Sequence, residues 1–428
     1  MPRLFVYLPP LILLMAGLAM LLSPTAFWHD RALGFAPAAT TPNLNKPNWA
    51  KHFDAASKSN LMLDIDSPNE LEITSDITTI TSDEIVYELN QVRDWAANYS
   101  PEAALLDGES RAVMCNVDPK DEESCCSARL IQSVLCELAL GRRADDAFAA
   151  AKAYHQLIAA TEGQRIAQQA LATQMELVAM AETAASLDIR DGDVMKLNQD
   201  RIDLVQAELT QSFSIRKLRQ ELARVTGRDE SEAAVARPID FLPTTAEPID
   251  TGVAVATALA QRHDLRAVAN LCQRMNRCNL PAARQLLGAV SPGVGLSLAS
   301  LSGKKGLFGC LKDDHSEDDL ATRRRQCRDL HRSLSRTIRN QVLQAILDVR
   351  LAHKKTQLAF ERLELAERRF DAASVKLRIE KAMPGTDVIA ELELIQMQGE
   401  VVKTQLELAL AVDTLHNVRN DPIPGSRY

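Results

Sequence analysis

Hydrophobic residues recur at three- and four-residue steps over two long stretches of the chain, a pattern typical of amphipathic helices. The first stretch, residues 128–187, has no Pro and is rich in the helix-favouring residues Ala, Leu, Gln and Glu. A turn around Asp191-Gly192-Asp193 follows it. A second periodic stretch, Val194–Thr226, ends at Gly227, a usual residue just after a helix. These features predict a helical hairpin over residues 128–227.

The same unit recurs near the C-terminus. Residues 318–381 contain neither Pro nor Gly and would be about 96 Å long as one helix, which is typical of a coiled coil. A turn reaches Asp387, and a return helix runs from Val388 to about Asn420. The sequence therefore predicts a second hairpin over residues 318–420 and an internal duplication. The predicted fold class is mainly α, with two long antiparallel coiled-coil hairpins.

Four segments precede or connect the hairpins. They are a linker at 36–70, a mixed N-terminal region at 71–127, a Pro-rich linker at 228–250, and a connecting helix with a Gly- and Ser-rich loop at 251–317. Within them, Ser82-Asp83-Glu84 has the pattern of a cap for a short helix that ends near Ala97. The pattern of residues Thr251–Met275 predicts one continuous helix. Apolar residues alternate with small ones over Gly293–Leu298, as in a β-strand.

The N-terminal segment, residues 1–35, has the pattern of an export sequence. Arg3 is followed by the uncharged run Leu4–Leu22, whose length suits either a cleaved signal peptide or a retained signal anchor. No Cys follows the apolar core, which excludes a lipoprotein anchor. Both alternatives predict that residues 40–428 lie outside the cytoplasm.

Composition excludes several classes of protein. Charged residues make up 25% of the chain and the net charge is −8, which argues against both a polytopic membrane protein and a wholly disordered chain. The acidic balance argues against a nucleic-acid partner. Aromatic residues make up only 4%, too few for the aromatic girdles of a complete transmembrane β-barrel.

Several segments resemble the TolC-like outer-membrane efflux proteins. Ala258–Leu271 (ALAQRHDLRAVANL) is similar to the family segment ALxxRPDLRAA, with His263 in place of the Pro. Leu218–Asp229 resembles the end of the first family hairpin, and Ala366–Phe370 together with Asp387-Val388 resembles the second. The resemblance covers about residues 128–420.

The resemblance implies a homotrimer whose hairpins form a helical tunnel in the periplasm, at the outer membrane of the cell envelope. Family members have two membrane strands per repeat. Residues 100–128 are too polar to face lipid, and only residues 288–301 are strand-like in the second repeat, so we expect little or no β-barrel. The expected function is that of an outer-membrane efflux channel component of a tripartite export system. The alternative is a structural coiled-coil protein of the envelope that forms no pore.

The resemblance also implies that the hairpin tips face a periplasmic adaptor, or membrane fusion, protein tied to an inner-membrane pump. The tip residues are Leu187, Asp188, Asp191, Gly192, Asp193, Val194, Pro384, Gly385, Thr386, Asp387 and Val388. The tip aspartates Asp191, Asp193 and Asp387 suit helix capping, and narrowing of a tunnel mouth by charge is the alternative.

Eight cysteines form two groups of four, each ahead of a predicted hairpin. They are Cys115, Cys125, Cys126 and Cys136, and then Cys272, Cys278, Cys310 and Cys327. Neither group has zinc-ligand spacing, and exported chains meet an oxidising compartment, so we expect disulfides within each group rather than a metal site. The expected disulfides would hold loop-rich segments together.

The remaining chemistry of the sequence predicts no enzyme. The eight His are scattered, and no nucleophile, phosphate-loop or dinucleotide motif occurs, so we expect no catalytic residue, no metal and no cofactor. The basic run Arg323-Arg324-Arg325, followed by Arg328 and Arg332, predicts a solvated helix face. Contact with anionic lipid head groups is the alternative.

Overall fold

The computed structural model of the chain describes residues 86–186, 194–229, 237–290, 316–379 and 385–421. Helices account for 87% of these residues. The nine helices of this part are α1 Leu89–Tyr99, α2 Pro101–Cys115, α3 Glu122–Ser186, α4 Val194–Thr226, α5 Thr251–Gln261, α6 His263–Arg274, α7 Leu280–Val290, α8 Ser316–Arg378 and α9 Thr386–Arg419. Two short strands, β1 Val86–Tyr87 and β2 Arg237–Pro238, pair in parallel.

The mainly α fold with two long helical hairpins is confirmed. Helices α3 and α4 form the first hairpin, and α8 and α9 form the second. Both long helices begin earlier than the apolar pattern predicts, because acidic residues occupy their first turns and favour the positive end of the helix dipole. At the start of α3, the Asp121 carboxylate also accepts the backbone N–H groups of Glu123 and Ser124.

The segments before the hairpins are more helical than the sequence predicts. Residues 101–115, within the mixed N-terminal region that is too polar to face lipid, form α2, which Ser100 caps by accepting the Ala103 N–H. The continuous helix predicted over Thr251–Met275 is wrong. It breaks at Arg262, whose extended backbone separates α5 from α6. Residues 280–290, predicted as loop, form α7, and Gly293–Leu298 lie outside the described residues.

The four long helices are arranged in the order α4, α3, α9, α8. Helix α3 packs against both α4 and α9, and α9 packs against both α3 and α8. Helix α4 otherwise packs against α1, and α8 against α5, α6 and α7. Helices α4 and α8 therefore form the two edges of the arrangement.

Most of the apolar core lies at one end of the hairpins, which we call the base. The base comprises the short helices α1, α2 and α5–α7 and the parts of the long helices that pack on them, before residue 160 of α3 and after residue 213 of α4. The rest of the hairpins, towards the turns, is the distal half. No helix in the described part of the chain combines the length and the apolar character needed to cross a membrane.

Candidate assembly surface and hairpin tips

Helix α4 carries a row of exposed apolar side chains along one face. Their spacing of seven, seven and four residues returns to the same side of a helix. Met195 has 85% of its surface accessible and Phe213 has 67%. The members of this α4 stripe are Met195, Ile202, Leu209 and Phe213. Soluble monomers seldom leave such continuous apolar rows uncovered.

Helix α8 carries a matching row on the opposite edge. Its inner face is buried against α9 and the short helices through Val342, Ala345 and Val349. The outer face instead exposes a row of leucines, of which Leu347 is 57% accessible. The members of this α8 stripe are Leu343, Leu347, Leu351, Leu358 and Leu365. The two stripes lie on different edges of one chain.

A buried ionic cluster joins the two hairpins at the base. Asp413 of α9 accepts a hydrogen bond from the Arg93 guanidinium of α1 at 2.5 Å. The Nε2 atom of His155, on α3, lies 3.1 Å from the other Asp413 oxygen. The Asp413 side chain is only 4% exposed. Because a buried carboxylate needs partners to offset its lost hydration, this cluster fixes α1, α3 and α9 together.

His416 lies one turn after Asp413, and burial lowers its pKa. The cations of Arg93 and Arg419 lower the pKa further, whereas the carboxylates of Asp421 and Asp413 oppose this shift. Folding of the hairpin base therefore favours the neutral form of the His416 imidazole.

A second polar contact ties β1 and β2 to α3. The Tyr154 hydroxyl lies 2.6 Å from the Tyr87 carbonyl oxygen and 2.8 Å from an Asp240 carboxylate oxygen. The same Asp240 oxygen accepts the Leu89 N–H at the start of α1. Burial, and next the hydrogen bond to Asp240, raise the pKa of Tyr154.

His263, at the start of α6, contacts a nearly buried carboxylate of α3. Its Nδ1 atom lies 2.8 Å from Glu137 of α3, and Arg266 reaches the other Glu137 oxygen at 3.0 Å. The Glu137 side chain is 10% exposed, so its charge needs these partners. Sequence reasoning missed this pair because Glu137 and His263 are far apart in the chain.

The tip of the second hairpin is described in part. Gly385 adopts a left-handed backbone with φ 84° and precedes α9 as its N-cap. A Cβ atom added at Gly385 would meet the Leu177 side chain of α3 at 3.5 Å. Asp387 lies in the first turn, where its charge suits the helix dipole, rather than at the cap itself. Val388 is buried, and Thr386 is exposed.

The first tip falls mostly outside the described residues. That applies to Leu187, Asp188, Asp191, Gly192 and Asp193, and also to Pro384 of the second tip. Val194 is the first residue of α4. The assignment of these residues as adaptor-facing stays a prediction.

The cysteines are not confined to loops as the sequence suggested. Cys125, Cys126 and Cys136 lie within α3, and Cys327 is fully buried within α8. Cys125 and Cys126 are helical because α3 begins at Glu122, before the predicted boundary, whereas Cys136 and Cys327 already fall within the predicted hairpin ranges. A disulfide joins Cys272 and Cys327, with Cα atoms 5.7 Å apart.

The second cysteine contact crosses the two sequence groups. The thiols of Cys126 on α3 and Cys278 before α7 are hydrogen-bonded, which raises the pKa of Cys126. Ser127 Oγ also donates to the Cys278 carbonyl oxygen at 3.5 Å. This placement contradicts the expectation that pairs form only within each group, because α6 and α7 pack on α3 of the other repeat.

The remaining cysteines have different neighbours. Cys125 and Cys136 contact Asp118 and Ser110, whereas Cys115 is exposed at the end of α2. Cys310 lies outside the described residues. The described ranges hold no group of three or more His, Cys, Asp or Glu side chains suited to a metal ion.

The basic run at the start of α8 is only partly solvated. Arg323 is 5% exposed and pairs with Asp319, and Arg324 donates to the Met275 carbonyl oxygen at 2.8 Å. A fully solvated face over this run is therefore wrong for Arg323, whereas Arg324 stays exposed while it donates to Met275. Arg325, Arg328 and Arg332 are exposed.

Comparison with known proteins gives structural likeness without close sequence likeness. No protein-family model matches the sequence. No curated protein sequence matches it significantly.

Solved structures do match. A membrane protein from Pseudomonas aeruginosa has a TM-score of 0.59 at 10% identity, over 77% of this chain and 90% of that one. The outer-membrane protein VceC of Vibrio cholerae has a TM-score of 0.54 at 14% identity, over 77% and 95% of the two chains. The CmeC outer-membrane channel of Campylobacter jejuni has a TM-score of 0.55 at 10% identity, over 77% and 85%. The chain therefore has the fold of the TolC-like outer-membrane channels, at a large distance in sequence.

Proposed function

We propose that the chain is an outer-membrane efflux channel component that forms a homotrimeric helical tunnel in the periplasm. The observation that carries this proposal is the pair of uncovered apolar stripes on opposite edges of one hairpin arrangement. Such an arrangement suits head-to-tail contact, in which the α4 stripe of one copy meets the α8 stripe of the next. Head-to-tail contacts close into a ring when the rotation allows it. The fold shared with outer-membrane channels supports three copies as the closed number.

The charges beside the stripes are compatible with that contact. On the inner side of α8, Lys355 pairs with Glu407 at 2.8 Å and Arg362 with Glu400 at 2.5 Å, both on α9. These ion pairs are satisfied within one chain. Over residues 343–365, the outer face of α8 exposes the leucine stripe, and burial of those leucines would supply the main driving force for assembly.

The test of assembly is the mass of the full-length protein in detergent, together with electron-microscopic images of the particles. We expect three copies and a central opening. Replacing Leu358 and Leu365, which lie level with the α4 stripe, with Glu should reduce the mass to that of one chain, because charges would enter an apolar contact. The matched control replaces the exposed Glu364 and Glu367 of the same helix, which lie off the stripe, with Gln and should retain three copies. A wild-type monomer at micromolar concentration would refute the proposal.

Conductance distinguishes a channel from the structural alternative. We expect the assembled protein to raise the ionic conductance of a planar lipid bilayer. A ring without conductance would favour a structural coiled-coil protein of the envelope.

The proposed partners of the tips are a periplasmic adaptor and, through it, an inner-membrane pump. A photo-crosslinking residue placed at the exposed Thr386 should capture an adaptor in intact cells. The same residue placed at Arg228, at the base, should not. Capture of the adaptor from Arg228 alone would place the contact at the wrong end of the hairpin.

A further inference from the structure

Five arginines form a continuous exposed row on the first part of α8. They are spaced three, four, four and three residues apart, which keeps them on one side of a helix over about 21 Å. We name the row the arginine ladder. Its members are Arg325, Arg328, Arg332, Arg336 and Arg339, all exposed.

The ladder is a strong local departure from the charge of the whole chain. Residues 323–339 contain seven Arg and a single acid, Asp329, whereas the chain as a whole has net charge −8. Asp329 pairs with Arg332 across one turn, an exposed contact. Among the described residues, no carboxylate pairs with Arg325, Arg328, Arg336 or Arg339. The ladder therefore presents a net positive stripe to its surroundings.

A shallow pocket of about 230 Å³ opens in the middle of the ladder. Arg328, His331 and Arg332 line it from α8, and Gln273 and Cys272 line it from α6. The disulfide between Cys272 and Cys327 fixes the two helices that form its walls. The pocket thus collects hydrogen-bond donors on a rigid support.

The position of the ladder sets it apart from the apolar stripe on the same helix. Thr356 of α8 donates to the Thr404 carbonyl oxygen of α9, and α9 ends at Arg419. Since the helices are antiparallel, α9 ends level with about residue 341 of α8. Arg262, at the end of α5, contacts Gln341 at this level. The ladder therefore lies beyond the end of α9, on the side of the base remote from the tips.

The return helix of the first hairpin ends at a similar level. Gln164 of α3 donates to Ser212 of α4, and His155 of α3 faces Asp413 of α9. These pairings place Thr226, the last residue of α4, near the end of α9. A rotation about a ring axis preserves height, so α4 of a neighbouring copy would face the leucine stripe and stop short of most of the ladder.

We infer that the arginine ladder is a contact surface for the phosphate groups of an anionic phospholipid membrane. Guanidinium groups bind phosphate oxygens through paired N–H donors, and arginines near an anionic surface each add attraction. Because the ladder runs along α8, its end at Arg325, which is remote from the tips, would meet the phosphate groups first. The inference rests on the proposed envelope location, since it places the base of the hairpins at the membrane and the tips away from it.

The test is co-flotation of the full-length protein with lipid vesicles. Vesicles of phosphatidylcholine with roughly a third phosphatidylglycerol are compared with vesicles of phosphatidylcholine alone. The ladder variant carries Arg328→Gln, Arg332→Gln and Arg336→Gln. The matched control removes three cations from exposed positions lower on the same helix, through Lys354→Gln, Lys376→Gln and Arg378→Gln.

We expect the wild type and the control to bind the anionic vesicles more strongly than the neutral ones. The ladder variant should lose at least about tenfold in affinity for the anionic vesicles and keep its affinity for the neutral ones. Raised salt should abolish the difference by screening. Equal binding of the ladder variant and the control to anionic vesicles would overturn the inference.

Two further measurements test whether the ladder binds free phosphate or a second copy of the chain instead of a membrane. If inorganic phosphate stabilises the protein through the ladder but anionic vesicles do not bind it, the site takes free phosphate and the membrane inference is wrong. If the ladder variant loses its oligomeric mass, the ladder contacts a second copy and the inference is again wrong. The channel proposal can be refuted independently of this inference, because its test is the mass of the wild-type protein in detergent.

Discussion

The base and the distal half of the hairpins are held together by different means. At the base, buried clusters combine apolar residues such as Leu222, Ile338 and Leu286 with buried ionic and tyrosine contacts. In the distal half, the cluster that joins α3 to α9 is much smaller and contains Ile166, Ala170 and Ile395. The base is therefore a core in its own right, whereas the distal half is mostly a pair of helical surfaces.

This difference indicates where the chain is complete and where it depends on other copies. A helix with apolar residues on more than one side needs more than one partner to cover them. At the base, the short helices provide those partners within the chain. In the distal half, α4 and α8 have one long neighbour each, and Leu209 of α4 and Leu358 and Leu365 of α8 stay exposed. We expect base substitutions to affect folding and distal substitutions to affect assembly.

The largest expected effect is on the ionic cluster of the base. Asp413→Ala should lower the free energy of unfolding by about 3–5 kcal/mol, because Arg93 and His155 would lose their buried partner. Urea unfolding followed by circular dichroism measures this change. Glu364→Ala, which removes the exposed pair with Arg368, is the control and should cost under about 1 kcal/mol. Similar losses in the two variants would contradict the buried role of Asp413.

The next largest effect should come from truncating apolar side chains, which should lower stability at the base but not in the distal half. Leu222→Ala should cost about 2–5 kcal/mol, because Leu222 is fully buried in the base. Leu209→Ala, in the exposed distal stripe of the same helix, should change the unfolding free energy of the single chain by less than about 0.5 kcal/mol. Its effect should instead appear as weaker self-association. Equal destabilisation of the dissociated chain by Leu222→Ala and Leu209→Ala would show that the base and the distal half do not differ in this way.

The cysteine contact across the repeats is expected to stabilise the base when it is oxidised. Incubation with glutathione disulfide should convert the Cys126 and Cys278 thiols to a disulfide, with release of two glutathione thiols. The new bond should add about 2–4 kcal/mol by restricting the unfolded chain. Peptide mapping without reductant identifies the bond, and Cys126→Ser is the control. A bond between Cys126 and another partner would contradict the contact seen here.

Limited proteolysis locates the effect of the disulfides. With reductant, new cleavage should appear within residues 100–136 and 272–327, and the tips should be unaffected. First cleavage near Asp193 or Asp387 would indicate that the bonds support the distal half instead.

Two glycines with left-handed backbones offer a smaller, matched comparison. Each Gly→Ala change costs about 1–2 kcal/mol because of the backbone conformation alone. Gly227→Ala, at the base, should cost more, since a Cβ atom there would lie 2.1 Å from the Tyr99 ring. Gly385→Ala, at the tip, meets Leu177 at an ordinary 3.5 Å. Thermal unfolding of both variants shows which substitution costs more stability. A larger loss of stability for Gly385→Ala than for Gly227→Ala would contradict this prediction.

The smallest expected effect is a pH dependence of the base. Because burial lowers the pKa of His416, the unfolded chain binds a proton more readily than the folded chain. Stability should therefore fall as the pH drops from about 7.5 to about 5.5, through the ordinary pKa of histidine. His416→Gln should reduce this pH dependence of stability. The control His331→Gln, at a half-buried position on α8, should leave it unchanged. A pH dependence identical in all three proteins would assign it to other groups.

The sequence by itself determined the two hairpins and their duplication. The three- and four-residue apolar periodicity and the runs without Pro or Gly are local properties, and a helix is held by local hydrogen bonds. The start of α4 at Val194 and the helix end before Gly227 followed for the same reason. The helical character of residues 101–115 was missed because their charged side chains hide the few buried contacts, such as those of Ala103 and Leu106.

The tertiary structure alone decided which surfaces meet. A periodic pattern reports that a face is apolar, but it does not report the partner that covers it. The pairing of Glu137 with His263, the contact of Cys126 with Cys278 and the hydrogen bond from Arg324 to the Met275 carbonyl oxygen all join segments far apart in the chain. The same holds for the uncovered stripes of α4 and α8, because only the order α4, α3, α9, α8 leaves these two faces at the edges. Long-range packing depends on the path of the whole chain, and local sequence carries no record of that path.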